Sequence, residues 1–155
     1  MSNGVRSISY SAAAALAGII ISIMSAFSVW ITIIYYYPSP ALRDFTLIDM
    51  YKIIGLLFSS GSITAERLMG ISLLLYPIGV VAAVAAMKYR RMLGAAATAI
   101  LIATSIIWLI GVRMLGAAAT AYYATTSSYG PYATIAAAVV IAAACFARRS
   151  PQSSG

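Results

Sequence analysis

Residues Ser11–Tyr37 read SAAAALAGIIISIMSAFSVWITIIYYY, an unbroken run without a charged side chain. As one helix it would extend roughly 40 Å at about 1.5 Å per residue, more than the about 30 Å of bilayer hydrocarbon. It therefore predicts a membrane span with some tilt or overhang. Arg6, the alanine-rich start and MSA near residue 26 also follow the layout of a signal peptide. The apolar run continues well past that point, so the expectation is an uncleaved anchor.

The rest of the chain agrees with a membrane setting. Of its 155 residues, 63% are hydrophobic and 8% charged. Soluble domains carry about 25% charged residues, and a chain this short buries only about 70% of its unfolded surface. Lipid must then solvate much of what remains. Three further runs are long enough to span: 68–87, 92–112 and 131–147, the last close to the minimum length. Pro77 inside the second predicts a kink, and Gly130-Pro131 is a good helix start for the fourth.

Charge sets the expected orientation. With four spans, Arg6, Lys88, Arg90, Arg91, Arg148 and Arg149 share one side, which carries no acid. Arg43, Lys52, Arg67 and Arg113 share the other with Asp44, Asp49 and Glu66. The basic excess predicts that both termini are cytoplasmic. This topology also explains the net charge of +7 without nucleic acid, for which no binding module fits between the spans.

On the other side, segment 40–58 carries Leu42, Leu47, Met50, Tyr51, Ile53, Ile54, Leu57 and Phe58 on one half of a helical wheel. Asp44, Asp49 and Lys52 fall on the other half; Arg43 falls outside this division. Each charge would cost about 2.5–3.5 kcal/mol at mid-bilayer, so the segment predicts an amphipathic surface helix, started by Ser39-Pro40.

The nonapeptide RMLGAAATA occurs at Arg91–Ala99 and again at Arg113–Ala121, 22 positions apart. The second copy is followed by too little apolar sequence to span alone. Both copies are therefore expected on one extended helix, about six turns apart and nearly on one face. Gly94 with Thr98, and Gly116 with Thr120, are small pairs that let another backbone approach closely; Ala14 with Gly18 repeats the pattern in the first span. A duplication without mechanical meaning is the competing explanation.

Candidate chemistry is sparse. The sequence has no histidine, and no acid or lysine lies inside an expected span. Proton relays, ion-coupled transport and voltage sensing use such residues. The lone Cys145 forms no intramolecular disulfide. No catalytic residue, metal ligand or cofactor motif is assigned. Ser22, Ser25, Ser28 and Thr32 form a polar stripe on the first span, which would line a path near the Pro77 kink; such hydroxyls more commonly bond within their own helix or to a neighbour. Tyr35, Tyr36, Tyr37, Tyr122, Tyr123 and Tyr129 gather at the outer surface, with Trp30 and Trp108 near the same end of their spans. They predict an aromatic belt or an outward protein-binding surface.

Together these features predict a single all-α membrane domain over residues 1–155: a four-transmembrane-helix bundle with spans 11–37, 68–87, 92–112 and 131–147. The expected role is a non-catalytic small subunit of the plasma membrane. Its expected partners are the lipid bilayer and other integral membrane subunits or copies of itself. A channel or facilitator lined by the helix-1 hydroxyls is the alternative.

Overall fold

The computed structural model describes residues 10–36, 39–59, 64–89, 91–117 and 123–147. The opening stretch divides into two elements. Helix α1 runs Tyr10–Ser25, and strand β1 runs Val29–Tyr35. The single helix expected over 11–37 is therefore corrected: it ends at Ser25. Three tight backbone bonds end it, from Ala26 to Ile23, Phe27 to Met24 and Ser28 to Ser25, each 3.1 Å. Beyond them, Val29, Ile31, Thr32, Ile33 and Ile34 are β-branched, and Trp30 and Tyr35 are aromatic. Such side chains lose rotamer freedom in a helix and pack well on a pleated sheet.

Strand β1 is the centre of a three-stranded antiparallel sheet, ordered β2-β1-β3. Strand β2 spans Ala41–Thr46 and β3 spans Tyr123–Ser127. Ile31 lies opposite both Phe45 and Ser127, and Thr32 opposite both Asp44 and Thr126. Alternation sends Ile31, Ile33 and Phe45 to the face that meets the helices. Thr32 lies on the other face, where its hydroxyl donates to Asp44 at 2.5 Å. The fold class is accordingly mostly helical, not all-α.

The amphipathic helix expected over 40–58 is also corrected. This segment forms β2, then α2 (Leu47–Lys52) and α3 (Ile54–Ser59), separated by Ile53. The helix start is Thr46, not Ser39-Pro40. Thr46 accepts from the Asp49 amide, and the Asp49 carboxylate accepts from the Thr46 amide, a reciprocal capping box. Leu47, Met50 and Leu57 still turn inward and Lys52 outward. The hydrogen bond from Lys52, then those from Thr46, hold the Asp49 carboxyl at about 2, below its ordinary 3.8. Its folded value is depressed, so the cap's contribution is present above pH 4 and fades as pH falls towards 2. An NMR titration should place the Asp49 midpoint near 2, and Thr46→Ala should raise it.

Helices α4 (Thr64–Tyr89) and α5 (Arg91–Ala117) form an antiparallel pair. Each contains a stretch long and apolar enough to cross a membrane, 64–87 and 92–117, both with mean hydropathy 2.2. Helix α6 (Gly130–Ala147) packs between α5 and α1. Helices α1 and α6 are apolar but shorter, roughly 24 and 27 Å. Trp30, Trp108, Leu73 and Leu101 are fully buried where the bundle meets the sheet and along its axis. Large apolar side chains also point outward from every bundle helix: Ile20 and Met24 on α1, Leu74 and Val81 on α4, Ile106 and Ile110 on α5, Val139 and Phe146 on α6.

Candidate functional site

The most structured polar feature lies at the sheet end of the bundle, where α1, α4, α6 and β1 converge. Ser25 Oγ donates to Ser22 O at 2.7 Å and meets Tyr76 Oη at 3.0 Å and Thr134 Oγ1 at 2.7 Å. Tyr76 also donates to the Ser22 carbonyl. Thr134 in turn reaches Gly130 O at 3.2 Å. All four hydroxyl-bearing residues are buried.

Two indoles close the cluster. Trp30 Nε1 donates to Ser25 O at 2.6 Å, and Trp108 Nε1 donates to Trp30 O at 3.3 Å. The Trp30 ring stands edge-on to Tyr76 and to Trp108, with centroids 5.6 and 5.4 Å away. Such pairs add about 0.5–1.5 kcal/mol beyond area burial. Neither tryptophan belongs to an aromatic belt: both are fully buried, and their N–H groups are satisfied inside the protein.

The polar stripe expected on the first span is thus divided by the helix-to-strand break. Ser22 and Ser25 remain on α1 inside the cluster. Ser28 lies in the turn, donating to Ser25 O at 2.6 Å, and Thr32 lies on the sheet. Pro77 is exposed and does not face the bundle interior. Because proline lacks an amide hydrogen, it leaves the Leu73 carbonyl without its helical donor. The Tyr51 hydroxyl from α2 supplies one instead. Burial pushes the Tyr51 phenol up to about 12, so it remains a donor at every physiological pH. Ser22 Oγ and Thr104 Oγ1 are also buried, without a hydrogen-bond partner among the described residues.

The small-residue pairs fall at distinct contacts. A Cβ on Gly18 would lie 2.8 Å from Ile141 Cγ1 and 3.0 Å from Ala137 O, so α1 and α6 are in close backbone contact there. Ala14, one turn earlier, is half-buried. A Cβ on Gly94 would lie 2.4 Å from Cys145 Sγ. Thr98 bonds to Gly94 O at 2.9 Å and across to Ala138 O on α6 at 3.3 Å. In the second copy, Gly116 faces Thr125 of β3, whose carbonyl would be 3.3 Å from an added Cβ. Thr120 lies outside the described residues. One helix, α5, carries the first copy and the second as far as Ala117. The repeat therefore meets a helix at one end and a strand at the other.

A direct comparison follows. Gly94→Ala should lower the melting temperature clearly, by the about 1–3 kcal/mol typical of overpacking. Gly116→Ala should change it little. Cys145→Gly introduced with Gly94→Ala should recover part of the loss, measured by thermal unfolding in detergent.

Of the tyrosines, Tyr36 and Tyr129 are exposed, and Tyr35 is half-buried on β1. Tyr37, Tyr122 and the Tyr123 side chain lie outside the described residues. Sequence reasoning overlooked Tyr76 and Thr134. Their only signal was a hydroxyl in an apolar helix. No family model, curated protein or solved structure matches this chain.

Proposed function

We propose that this chain is a four-span integral membrane protein of the plasma membrane with both termini cytoplasmic, acting as a non-catalytic subunit that packs against partner membrane proteins or against itself. The observation that carries the reading is the outward apolar surface on all four bundle helices, two of them long enough to span, with Val81 67% and Val139 55% exposed. Contiguous apolar surface of this extent needs lipid or protein around it. Helix α4 ends at Tyr89 and α5 begins at Arg91, at the end of the pair away from the sheet, and with the basic residues of this part of the sequence the positive-inside tendency would assign that end to the cytoplasm. The sheet would then stand on the outer surface, presenting Tyr36 and Tyr129.

A facilitator path along the α1 hydroxyls is the less favoured reading. Tyr76 and Trp30 pack across the region where Ser22 and Ser25 would begin it, and the hydroxyl of Ser25 is engaged by its neighbours. Purification in mild detergent tests the subunit role: a stoichiometric membrane partner or a defined homo-oligomer is expected. A solitary monomer would overturn it, and solute flux lost on Ser25→Leu would favour the facilitator.

A further inference from the structure

We propose that the groove between β3 and the end of α5 binds the phosphate of an anionic membrane lipid headgroup; the lipid source rests on the membrane reading above. The groove encloses about 410 Å³ and is lined by Arg113, Thr126, Ser127 and Tyr132, with Leu109 and Val112 on its apolar wall. Arg113 is exposed and has no hydrogen bond or ion pair among the described residues.

Strand β3 contributes backbone donors. Among the described residues it is an edge strand, paired only with β1. The bond from the Ser128 amide to Trp30 O fixes which amides face β1. Alternation along an antiparallel ladder then turns the Thr125 and Ser127 amides away from β1, towards α5. The nearness of Thr125 O to Gly116 agrees with that direction. Ser127 Oγ is buried without a hydrogen-bond partner among the described residues. Ser127 itself lines the groove. Leaving a buried hydroxyl unpaired is unfavourable, so a ligand that engages it is favoured.

These groups suit phosphate. A guanidinium offers a planar fork to two phosphate oxygens, and backbone amides with hydroxyls fill the remaining acceptor positions. The acids are engaged: Asp44 accepts from Thr32, Asp49 accepts from Lys52 and Thr46, and Glu66, which lies on α4 beside Leu115 and Thr125, has an interaction of its own. Asp44 is also two strand spacings from Thr126, about 10 Å. Exposed Ile106 and Ile110 continue along α5 from the groove. They give acyl chains a track that inorganic phosphate would not use.

The test uses the full chain in phosphatidylcholine nanodiscs containing a minor share of phosphatidylglycerol, with retained lipid read by native mass spectrometry. Wild type should keep phosphatidylglycerol. Arg113→Gln should reduce retention about tenfold, the effect of losing one charge-assisted contact. Ser127→Ala should reduce it less, and Arg67→Gln, an exposed cation on α4, should not. Equal loss with Arg67→Gln would mean general surface charge and overturn the site, as would unchanged retention in Arg113→Gln. Inorganic phosphate bound with the same Arg113 dependence, without lipid retention, would replace the lipid by a soluble anion. A co-purifying polypeptide that protects the β3 amides from hydrogen exchange would replace it by an added strand. A protein that stays monodisperse without amphiphile rejects the membrane reading, whereas lost retention in an inserted protein rejects only this site.

Discussion

Trp30→Ala should destabilise the protein by about 3–5 kcal/mol, the range for removing a large aromatic from a packed core. The indole is fully buried and meets two other rings edge-on. Its N–H is also the donor to Ser25 O, at the position where α1 ends. Removing the ring opens a cavity beside Tyr76, Trp108 and Gly130. Trp30→Phe should retain much of the packing but lose the donor, and so fall between. Denaturant titration in mixed micelles would measure both. A loss under about 1 kcal/mol in Trp30→Ala would show that the sheet is not anchored through this residue.

Gly130→Ala should be costly for the opposite reason. An added Cβ would lie 2.3 Å from Trp30 Cδ1 and 2.4 Å from Nε1. The ring cannot yield cheaply, because its hydrogen bond and both ring contacts fix its plane. Overpacking of this kind costs about 1–3 kcal/mol and occasionally more. Gly55→Ala is the matched comparison, since nothing among the described residues lies within 4 Å of that position on α3. There the helix should gain up to about 1 kcal/mol from the change. Equal effects at the two sites would contradict the close approach of α6 to the indole.

The helical part of the fold was largely legible because its signal is local. Apolar runs expected over 68–87, 92–112 and 131–147 correspond to helices over 64–89, 91–117 and 130–147. Gly130-Pro131 marked the start of α6 through the fixed φ of proline and its missing amide. The sheet was hidden by continuity. An apolar strand that follows an apolar helix leaves no break in hydropathy, and only the density of β-branched and aromatic residues from Val29 to Tyr35 distinguishes it. Its second neighbour, β3, lies far along the chain in YATTS, a stretch with no apolar pattern of its own. Segment 40–58 misled differently. Its apolar residues fit a wheel, but the Thr46–Asp49 cap starts a new helix halfway through and frees the preceding residues to pair with β1.

The candidate site was legible in half. Ser22 and Ser25 were visible as a stripe; their partners Tyr76 and Thr134 come from helices whose relative rotation is set by packing. Trp30 and Trp108 were visible as residues near one end of the bundle, but nothing local distinguishes a membrane-interface tryptophan from one locked under a sheet.

The central claim is that all four bundle helices present their outward faces to lipid. The most direct measurement is spin-label accessibility at Ile20, Val81, Ile106 and Val139, each replaced singly by a labelled cysteine in a Cys145→Ala background, in bilayers. The account predicts strong collisions with lipid-soluble oxygen and weak collisions with a water-soluble nickel chelate at all four, and the reverse at Leu42 on the exposed strand β2. Chelate access at the Ile20 or Val139 label equal to that at Leu42 would contradict it.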